Sequence, residues 1–373
     1  MIRICFLLIC LSMGTISQAQ KTDTYDQYLQ QHLIKDSIPG MSFSIAYKGK
    51  VVKTTNLGYA NLENQVPASQ QTVYELASVS KPITATGLML LVEQGKVSLD
   101  SSIAKYLGTS VPDNYRPITI RQLMSHTAGI ASDHYTYTKL YAPTPLRYTS
   151  KDQLTDLFAL KPTAAPGDKY QYSNAGFFLQ AAIIEAVTGL TYQQYIQKEI
   201  FDKASMAHSY FINGDSIVPH HAQGYTKRKN RLVRFSLEST IQALNANGFG
   251  GLMSTTNDLH SFTQAILQEK IIRKASLQQM IQATLLNDGN PAGPKNYPVS
   301  VGLGWHIKTI AGKKCMYHNG HTGTALLCFP EDNLTIVLLT NLSAGYSMFG
   351  DKGFRVADMG FELAEMAAKQ YLK

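Results

Sequence analysis

The stretch that turns a strand into a helix in this chain is Glu75-Leu76-Ala77-Ser78-Val79-Ser80-Lys81-Pro82-Ile83-Thr84-Ala85. Extended residues precede it from Thr72, and an apolar helix continues to Val92. Ser78 and Lys81 stand three residues apart, and residues with that spacing share one face of a helix. Burial lowers the proton affinity of such an amine, so it can take the serine proton as the hydroxyl attacks a carbonyl. The stretch therefore predicts a nucleophilic serine at a helix start.

The same spacing occurs again in Ser102-Ile103-Ala104-Lys105. Its surroundings differ, because Ser102 ends the polar segment 98–102 and Lys105 is expected to face water. We therefore favour Ser78 as the nucleophile and keep Ser102 as the alternative.

The composition indicates a globular chain. Of 373 residues, 44% are hydrophobic and only 16% are charged, with a net charge of +8, so apolar material is ample and disorder is excluded as the main state. No dense stripe of Lys and Arg is present, which disfavours a nucleic-acid partner. The motifs of α/β-hydrolases, zinc proteases, P-loop enzymes and dinucleotide binders are absent from the sequence.

The first residues have the character of a signal peptide. Arg3 precedes an apolar run over residues 4–13, and Ser17-Gln18-Ala19 offers a cleavage point before Gln20. We expect residues 1–19 to be removed and the product to be secreted or periplasmic; a lipid anchor on Cys10 is the less favoured alternative. The run is about half of the ~20 residues that a membrane-spanning helix needs, so no membrane span is expected.

Patterning beyond the signal predicts one α/β (α+β) domain, residues 20–373. Alternating strands occupy about 20–78 and 296–373, and a helical region fills about 79–295. An antiparallel sheet built from both termini, flanked by helices and carrying an inserted helical subdomain, is the economical architecture. Capping signals predict helix starts at Thr119 with Gln122, Ser150 with Gln153 and Thr191 with Gln194, and helix ends at Gly95 and Gly189.

Six ordered segments resemble the serine β-lactamase and penicillin-binding-protein family, in the branch of class C β-lactamases, D,D-carboxypeptidases and esterases. The likeness covers most of the mature chain. Its segments are 75–85, Ile118-Thr119-Ile120-Arg121-Gln122-Leu123-Met124-Ser125-His126-Thr127-Ala128-Gly129, Tyr170-Gln171-Tyr172-Ser173-Asn174-Ala175-Gly176, Gly250-Gly251-Leu252-Met253-Ser254-Thr255, Gly302-Leu303-Gly304-Trp305 and Val337-Leu338-Leu339-Thr340-Asn341. The resemblance implies a β-lactamase/transpeptidase-like fold and acyl-enzyme chemistry without a cofactor or a metal.

The family's second motif, Tyr-x-Asn, has two candidates here. Tyr59-Ala60-Asn61 precedes the nucleophile, which is the wrong order, so the resemblance points to Tyr172-Ser173-Asn174. It implies that Tyr172, partly as a phenolate, shuttles the serine proton. Asn174 is expected to bind the substrate amide or Lys81 and also to cap the following helix.

The third motif, His-x-Gly in this branch, also has two candidates, His318-Asn319-Gly320 and His321-Thr322-Gly323. The resemblance favours His318 on an edge strand, with Gly320 letting the substrate backbone lie against it. The N–H groups of residue 321 and Ser78 would then form an oxyanion hole. Because histidine is mostly neutral at pH 7 where many β-lactamases carry lysine, capture of a substrate carboxylate should be weaker.

These observations predict an exported serine hydrolase acting on D-amino-acid peptides or small esters, with peptidoglycan as a possible partner. The alternatives are a class C β-lactamase and a non-hydrolytic cell-wall ligand sensor, and the sequence indicates no particular oligomeric state. The tyrosine-rich segment 135–148 is either a roof over the pocket or a plain surface loop. Cys315 and Cys328 are expected to be buried thiols, with a cross-strand disulfide as the alternative.

Overall fold

The computed structural model describes residues 23–130, 149–212, 217–229, 231–235, 248–295, 298–343 and 356–372. The predicted signal peptide and the tyrosine-rich segment 135–148 lie outside the described residues. Within these ranges no single helix is long and apolar enough to cross a membrane, whereas the bent pair Asn174–Thr188 and Tyr192–Ala204 passes that test by length and composition together.

An eight-stranded antiparallel sheet is built from both ends of the chain, as the sequence predicts. Its order is β3-β2-β1-β13-β12-β11-β10-β9, so the first strand pairs with the last, with Phe43 opposite Leu338. Its strands are β1 (Gly40–Tyr47), β2 (Lys50–Asn61), β3 (Val66–Pro67), β9 (Ser300–Val301), β10 (His306–Ile310), β11 (Lys313–Gly320), β12 (Thr324–Phe329) and β13 (Leu334–Thr340).

Helices pack on both faces of this sheet, and others lie in the inserted helical region. They are α1 (Thr24–Lys35), α2 (Ser80–Glu93), α3 (Ala104–Leu107), α4 (Ile120–Met124), α5 (Ser150–Phe158), α6 (Asn174–Thr188), α7 (Tyr192–Ile196), α8 (Asp202–Ala204), α9 (Thr256–Leu267), α10 (Lys274–Met280) and α11 (Val356–Tyr371). The expected ends are present, because Gly189 adopts φ 71° as the C-cap of α6 and Gly95 adopts φ 69° just after α2.

The expected helical region also contains strands. Its short strands are β5 (Tyr210–Phe211), β6 (Tyr225–Arg228), β7 (Arg231–Arg234) and β8 (Leu252–Ser254), while β4 (Tyr74–Glu75) lies just before this region, in the stretch expected to be extended. Strand β8 pairs with both β4 and β5, and β6 with β7 forms a hairpin. Strands of two or three residues are too short to show a periodicity of two in the sequence, which is why the helical interpretation missed β5 and β8.

One predicted helix start is displaced by a residue. Thr119 and Thr191 form capping boxes with Gln122 and Gln194 as expected, but α5 is capped by Thr149 with Asp152 instead of Ser150 with Gln153. Gln153 is buried. The acidic Asp152 also suits the positive end of the helix dipole, which favours the observed register.

Two cores lie on opposite faces of the sheet. Met316 and Cys328 belong to the larger core shared with α2 and α6, whereas Cys315 belongs to the core shared with α1 and α11. The ladder pairs Met316 with Cys328, so the two cysteines point to opposite faces. Both are buried free thiols, which confirms the favoured expectation over the disulfide.

Candidate active site

The segment around Ser78 is held in a constrained turn between a strand and a helix. Strand β4 pairs Glu75 with Met253, Ala77 adopts φ 46°, and a short 3-10 turn spans Ala77–Val79 before α2 begins at Ser80. A positive φ at a residue with a side chain costs free energy, and such residues concentrate at functional sites. Ser78 is only partly buried in this turn, just before the start of the buried helix α2.

Lys81 lies in the first turn of α2 and is fully buried. Its Nζ lies 3.0 Å from Ser78 Oγ and donates to two oxygens, Asn174 Oδ1 at 2.8 Å and the Phe249 carbonyl at 2.8 Å. Burial lowers the pKa of this amine well below its ordinary value. The structure therefore places a desolvated base beside the predicted nucleophile.

Tyr172, which lies just ahead of α6, reaches the same hydroxyl. Its OH donates a hydrogen bond of 2.8 Å to Ser78 Oγ. Burial raises the pKa of this phenol. The expected partial phenolate is therefore disfavoured, because a buried phenolate loses its hydration.

Asn174 accepts a hydrogen bond from Lys81, which is one of the roles expected for it. It does not cap α6. Ser173 is the N-cap, with its hydroxyl accepting from the Gly176 N–H, while Asn174 is the first helical residue. The Asn174 amide oxygen instead accepts a hydrogen bond from the buried amine of Lys81.

His126 holds the segment that carries Tyr172, a role that the sequence motif did not reveal. Its ring stacks on Tyr172 at 4.4 Å between centroids, and its Nδ1 accepts from the Ser173 N–H at 3.0 Å. Its carbonyl accepts from the Gln171 N–H at 2.8 Å. His126 thus binds the backbone on both sides of Tyr172 while adopting φ 58°. Burial lowers its pKa well below the ordinary value, so the ring is neutral and Nδ1 can accept.

The two histidines of the competing third motifs occupy different places. His318 is buried on β11, with its ring 6.3 Å from that of Tyr172. His321 lies in the turn after β11, edge-on to Phe235 at 5.9 Å. The side chain of His318, rather than that of His321, therefore faces Tyr172.

A further histidine, His306, was not predicted as a site residue. It begins β10 directly after Trp305, and its ring stacks on that of His318 at 4.9 Å with an interplanar angle of 23°. Its Nε2 lies 3.4 Å from the hydroxyl of Tyr170. Burial and the nearby Lys81 lower its pKa to about 4. Only the position of His306 after the Gly302–Trp305 motif could have indicated it.

Gly320 packs against protein on the side where a side chain would lie. A Cβ atom at this position would lie 2.2 Å from the Leu76 carbonyl oxygen, so the space of the missing side chain is filled by the segment that leads to Ser78. Thr324 Oγ1 donates to the same carbonyl at 2.9 Å, and Thr322 Oγ1 donates to the Glu75 carbonyl. These contacts fix the turn after β11 beside the nucleophile.

Strand β11 is also not an edge strand over its whole length. Strand β10 pairs with it from Lys313 to Tyr317, with His306 opposite Tyr317, and the described pairing stops there. The edge is therefore local and begins at His318.

The surroundings of the alternative nucleophile, Ser102, differ from those of Ser78. Ser102 Oγ donates to the Arg116 carbonyl at 2.5 Å and accepts from the Ala104 N–H at 3.1 Å, while Lys105 is exposed. No buried base accompanies Ser102 in the described surroundings, so the geometry disfavours it.

The described residues contain no group of three or more His, Cys, Asp or Glu side chains that could hold a metal ion. The arrangement instead joins a hydroxyl, a buried amine and a phenol. Such a set can acylate a serine and pass its proton onward.

Comparison with known proteins shows the family of the chain. Residues 25–359 match the sequence model of the family described as Beta-lactamase. The chain belongs to the Beta-lactamase family. Its fold is accordingly the fold shared by β-lactamases and penicillin-binding proteins.

The chain is similar to several proteins that have been described individually. Penicillin-binding protein 4* of Bacillus subtilis (strain 168) is 28% identical over 310 residues, which are 79% of this chain and 66% of the relative. The chain therefore spans just under two thirds of that relative's length. A solved octameric penicillin-binding protein homologue from Pyrococcus abyssi has a TM-score of 0.78 and 25% identity, covering 92% of this chain and 76% of its own.

A D-amino acid amidase from Ochrobactrum anthropi SV3 shares the fold with a TM-score of 0.79 and 21% identity, over 93% of this chain and 98% of its own. The match of residues 25–359 to the family model confirms the family that the six sequence segments indicated, and these structural likenesses confirm the fold.

Proposed function

We propose that this protein is an exported serine hydrolase that forms an acyl-enzyme on Ser78 and acts on D-amino-acid peptides or small esters. One observation carries the proposal: Ser78 Oγ lies 3.0 Å from the Lys81 amine and 2.8 Å from the Tyr172 hydroxyl. A hydroxyl between a base and a proton donor has the arrangement that nucleophilic catalysis needs.

The direction of proton transfer follows from the hydrogen bonds of Lys81. A neutral amine has two hydrogens and one lone pair, and Asn174 Oδ1 and the Phe249 carbonyl are oxygens that only accept. They occupy both hydrogens, so the lone pair is left for the proton of Ser78. As the Oγ–C bond forms, the serine proton moves to Lys81.

Tyr172 serves the leaving group in this scheme. Its neutral phenol gives a proton to the departing nitrogen or oxygen as the substrate C–N or C–O bond breaks, and it recovers a proton from the Lys81 ammonium. The amine lies 4.9 Å from the centroid of the Tyr172 ring. Water then attacks the acyl-enzyme through the reverse transfers, which releases the acid and restores Ser78.

The backbone N–H groups of Ser78 and residue 321 are proposed to bind the developing oxyanion. Support comes from the contacts that hold the turn after β11 against the Ser78 segment, namely Gly320 on Leu76 and Thr322 on Glu75. Each such donor stabilises the transition state by about 2.7–4 kcal/mol.

His318 shifts the proposed substrate away from penicillin-like carboxylates. Burial lowers its pKa well below the ordinary value, so the imidazole is neutral at pH 7. A neutral ring attracts a carboxylate far less than a lysine ammonium does. Peptide and ester hydrolysis is therefore favoured over efficient β-lactam hydrolysis.

Export is proposed from the sequence of residues 1–19. Removal of this segment would leave a secreted or periplasmic enzyme with access to peptidoglycan, and a D-amino-acid peptide from that polymer is the proposed partner.

A turnover assay with three substrates tests the proposal: a D-Ala-D-Ala peptide, a p-nitrophenyl ester and a chromogenic cephalosporin. We expect the peptide or the ester to be turned over faster than the cephalosporin. In parallel, a fluorescent penicillin or fluorophosphonate should label the protein covalently and be released with time.

The chain supplies a matched control in its second Ser-x-x-Lys. Ser78→Ala should abolish both labelling and turnover, whereas Ser102→Ala should leave both intact. Absence of turnover on all three substrates, with no labelling of the wild type, would overturn the proposal. Labelling without release would indicate the ligand sensor instead.

A further inference from the structure

The hairpin β6–β7 carries unbalanced positive charge in the half that is farthest from its base. Four exposed cations lie there: Lys227, Arg228, Lys229 and Arg231. Residues 216–235, which include the hairpin, contain no Asp or Glu. Within the described part of the chain, the hairpin's ion pair is that of Arg234 with Glu63 at 2.6 Å, nearer the base. The four outer cations therefore have no acidic partner among the described residues.

Two of these cations stand opposite each other. The strand register pairs Arg228 with Arg231. Directly opposite residues of an antiparallel pair have Cβ atoms only about 4.5–5.5 Å apart, and like charges at that spacing destabilise the pairing. The arginine pair therefore lowers the stability of the hairpin, and an anionic group bound between the two guanidinium groups would remove this repulsion.

Cations are exposed on both faces of the hairpin. Successive residues of a strand point to opposite faces, so Lys227 lies on one face and the pair of Arg228 and Arg231 on the other. Both faces are open to solvent in this half, because these three residues and Leu232 are all exposed. A flat bilayer can contact only one face of such a ribbon, whereas a flexible chain can bend around it. The charge distribution therefore favours an anionic polymer over a lipid surface.

The base of the hairpin lies beside the candidate active site. Phe235, the residue after β7, donates its N–H to the Gly224 carbonyl at 2.9 Å, and its ring is edge-on to His321 at 5.9 Å. Arg231 is four residues from Phe235, or about 13 Å along the strand. An extended dipeptide spans only about 7 Å. A substrate that extends from the site along the hairpin as far as Arg231 is therefore much longer than a dipeptide.

We infer that the hairpin β6–β7 is an exosite that binds a flexible anionic polymer and holds a substrate attached to that polymer beside Ser78. The second half of this inference rests on the proposed function. Anionic groups along the polymer would bind at Arg228 and Arg231, where charge-assisted hydrogen bonds replace the repulsion between the two side chains. A cell-wall polymer with carboxylate groups along its length has the required chemistry.

Polymer binding is tested with fluorescein-labelled poly-L-glutamate, a flexible polyanion, by fluorescence anisotropy at low salt. The wild type should bind it, and uncharged dextran should not compete. The double variant Arg228→Gln/Arg231→Gln should bind about tenfold or more weakly. Added salt should weaken binding by the wild type more steeply than binding by the variant, because fewer counterions are released when two cations are missing.

The double variant Lys96→Gln/Lys105→Gln is the matched control, because it removes two exposed positive charges elsewhere on the protein. It should bind the polymer as the wild type does. Thermal unfolding should show the arginine variant to be at least as stable as the wild type, because the repulsion is gone. Equal weakening of binding in the two double variants would mean that net charge, and not the hairpin, attracts the polymer, which would overturn the inference.

A second pair of variants uses the turns of two hairpins. Lys229 after β6 and Lys48 after β1 adopt nearly the same left-handed conformation, with φ 49° and 48°. Asparagine tolerates this conformation better than lysine does, so neither Lys229→Asn nor Lys48→Asn should lower stability. Only Lys229→Asn should weaken polymer binding, and an equal effect of both would contradict the exosite.

Vesicles of phosphatidylglycerol test the competing partner. If the arginine substitutions abolish binding to these vesicles and leave binding to poly-L-glutamate unchanged, the hairpin is a lipid-binding element and the inference is wrong.

A competition assay with the wild type tests the link to Ser78. Poly-L-glutamate should slow the release of D-amino acids from isolated peptidoglycan and leave hydrolysis of a D-Ala-D-Ala dipeptide unchanged. Equal inhibition of both substrates, inhibition of neither, or no release from peptidoglycan by a protein whose Ser78 reacts with a fluorophosphonate would each overturn the inference and leave the serine hydrolase intact. Failure of Ser78 to label would instead contradict the proposed function, and the binding assay does not depend on that reaction.

Discussion

The amine of Lys81 donates a hydrogen bond of 2.8 Å to Oδ1 of Asn174, 93 residues further along the chain. The uncharged amide of Asn174 accepts one hydrogen bond from the amine and stabilises the charged ammonium form far less than a carboxylate would. A carboxylate in the same position would accept the hydrogen bond and also attract the ammonium. The identity of residue 174 therefore sets how readily Lys81 acts as a base near neutral pH.

Replacement Asn174→Asp tests this relationship. An opposite charge this close typically raises the pKa of an amine by about one to three units. The pH at which activity appears should rise by the same amount, because Lys81 then stays protonated to higher pH. The measurement is the rate of covalent labelling of Ser78 from pH 5 to 10. Asn174→Ala removes the oxygen without adding charge and should not move the profile upward, and an unshifted profile in Asn174→Asp would contradict the assignment of Lys81 as the base.

The wild-type pH profile of kcat/KM should show one acidic limb and then a plateau. Activity requires neutral Lys81, whose pKa is lowered by burial, so it is lost as the pH falls through that pKa. Burial raises the pKa of Tyr172, so its phenol stays protonated up to at least about pH 10. A rate that keeps rising through pH 10 would indicate a phenolate base instead and would reverse the roles of the two residues.

His126 should act by positioning Tyr172. His126→Ala removes both the stacked ring and the Nδ1 acceptor, and we expect labelling of Ser78 to slow by about 100-fold, the cost of a misplaced catalytic group. His126→Asn is the rescue variant, because asparagine tolerates the positive φ and its oxygen can accept from the Ser173 N–H. Rates are to be compared at pH 7 with thermal unfolding as the folding control; equal rates in the two variants would argue against the backbone contact.

The sequence predicts more of the fold than of the site. Alternation at β1 and β11–β13 and the caps of α4 and α7 are local signals, and the structure confirms them. The capping of α5 was displaced because Thr149 and Ser150 are adjacent and both can cap. Strand β8 was missed because three residues carry no usable period, although its pairing with β4 holds the nucleophile turn.

In the site, too, contacts between residues close in sequence could be predicted and contacts between distant segments could not. Ser78 and Lys81 are neighbours in sequence and their contact follows from helix spacing, whereas Tyr172 could be placed only through a resemblance. The contacts of Gly320 with Leu76 and of His306 with His318 join segments far apart in the chain. Local sequence patterns do not indicate either contact, so the packing of Gly320 was not predicted and His306 was overlooked.

Gly320→Ala should damage both stability and activity. The new Cβ would lie 2.2 Å from the Leu76 carbonyl oxygen, and backbone cannot yield as a flexible side chain can. We expect a loss of about 1–3 kcal/mol in unfolding free energy, as overpacking usually costs, together with a larger fall in labelling of Ser78.

Gly250→Ala is the matched control, since its Cβ would approach the same segment at Ala77 but at an ordinary 3.8 Å. It should change stability and labelling little. If both glycine variants behave alike, close packing of β11 against the nucleophile segment is not what Gly320 provides.

Buried histidines should make stability fall as the solution is acidified. His260 is buried, bonds Ser44 Oγ through Nε2 at 2.7 Å, and has its pKa lowered by burial to about 3. Between its ordinary pKa near 6.5 and about 3 the unfolded chain binds a proton that the folded chain does not. The contribution of neutral His260 to the free energy of unfolding is therefore complete above about pH 6.5. It is lost as the pH falls, by up to about 1.4 kcal/mol per pH unit for each such group.

Urea unfolding at pH 7, 6, 5 and 4 measures how steeply the free energy of unfolding depends on pH. His260→Gln, which keeps a polar group near Ser44, should reduce the slope by about one proton; a slope equal to that of the wild type would show that His260 does not stay neutral in the folded state.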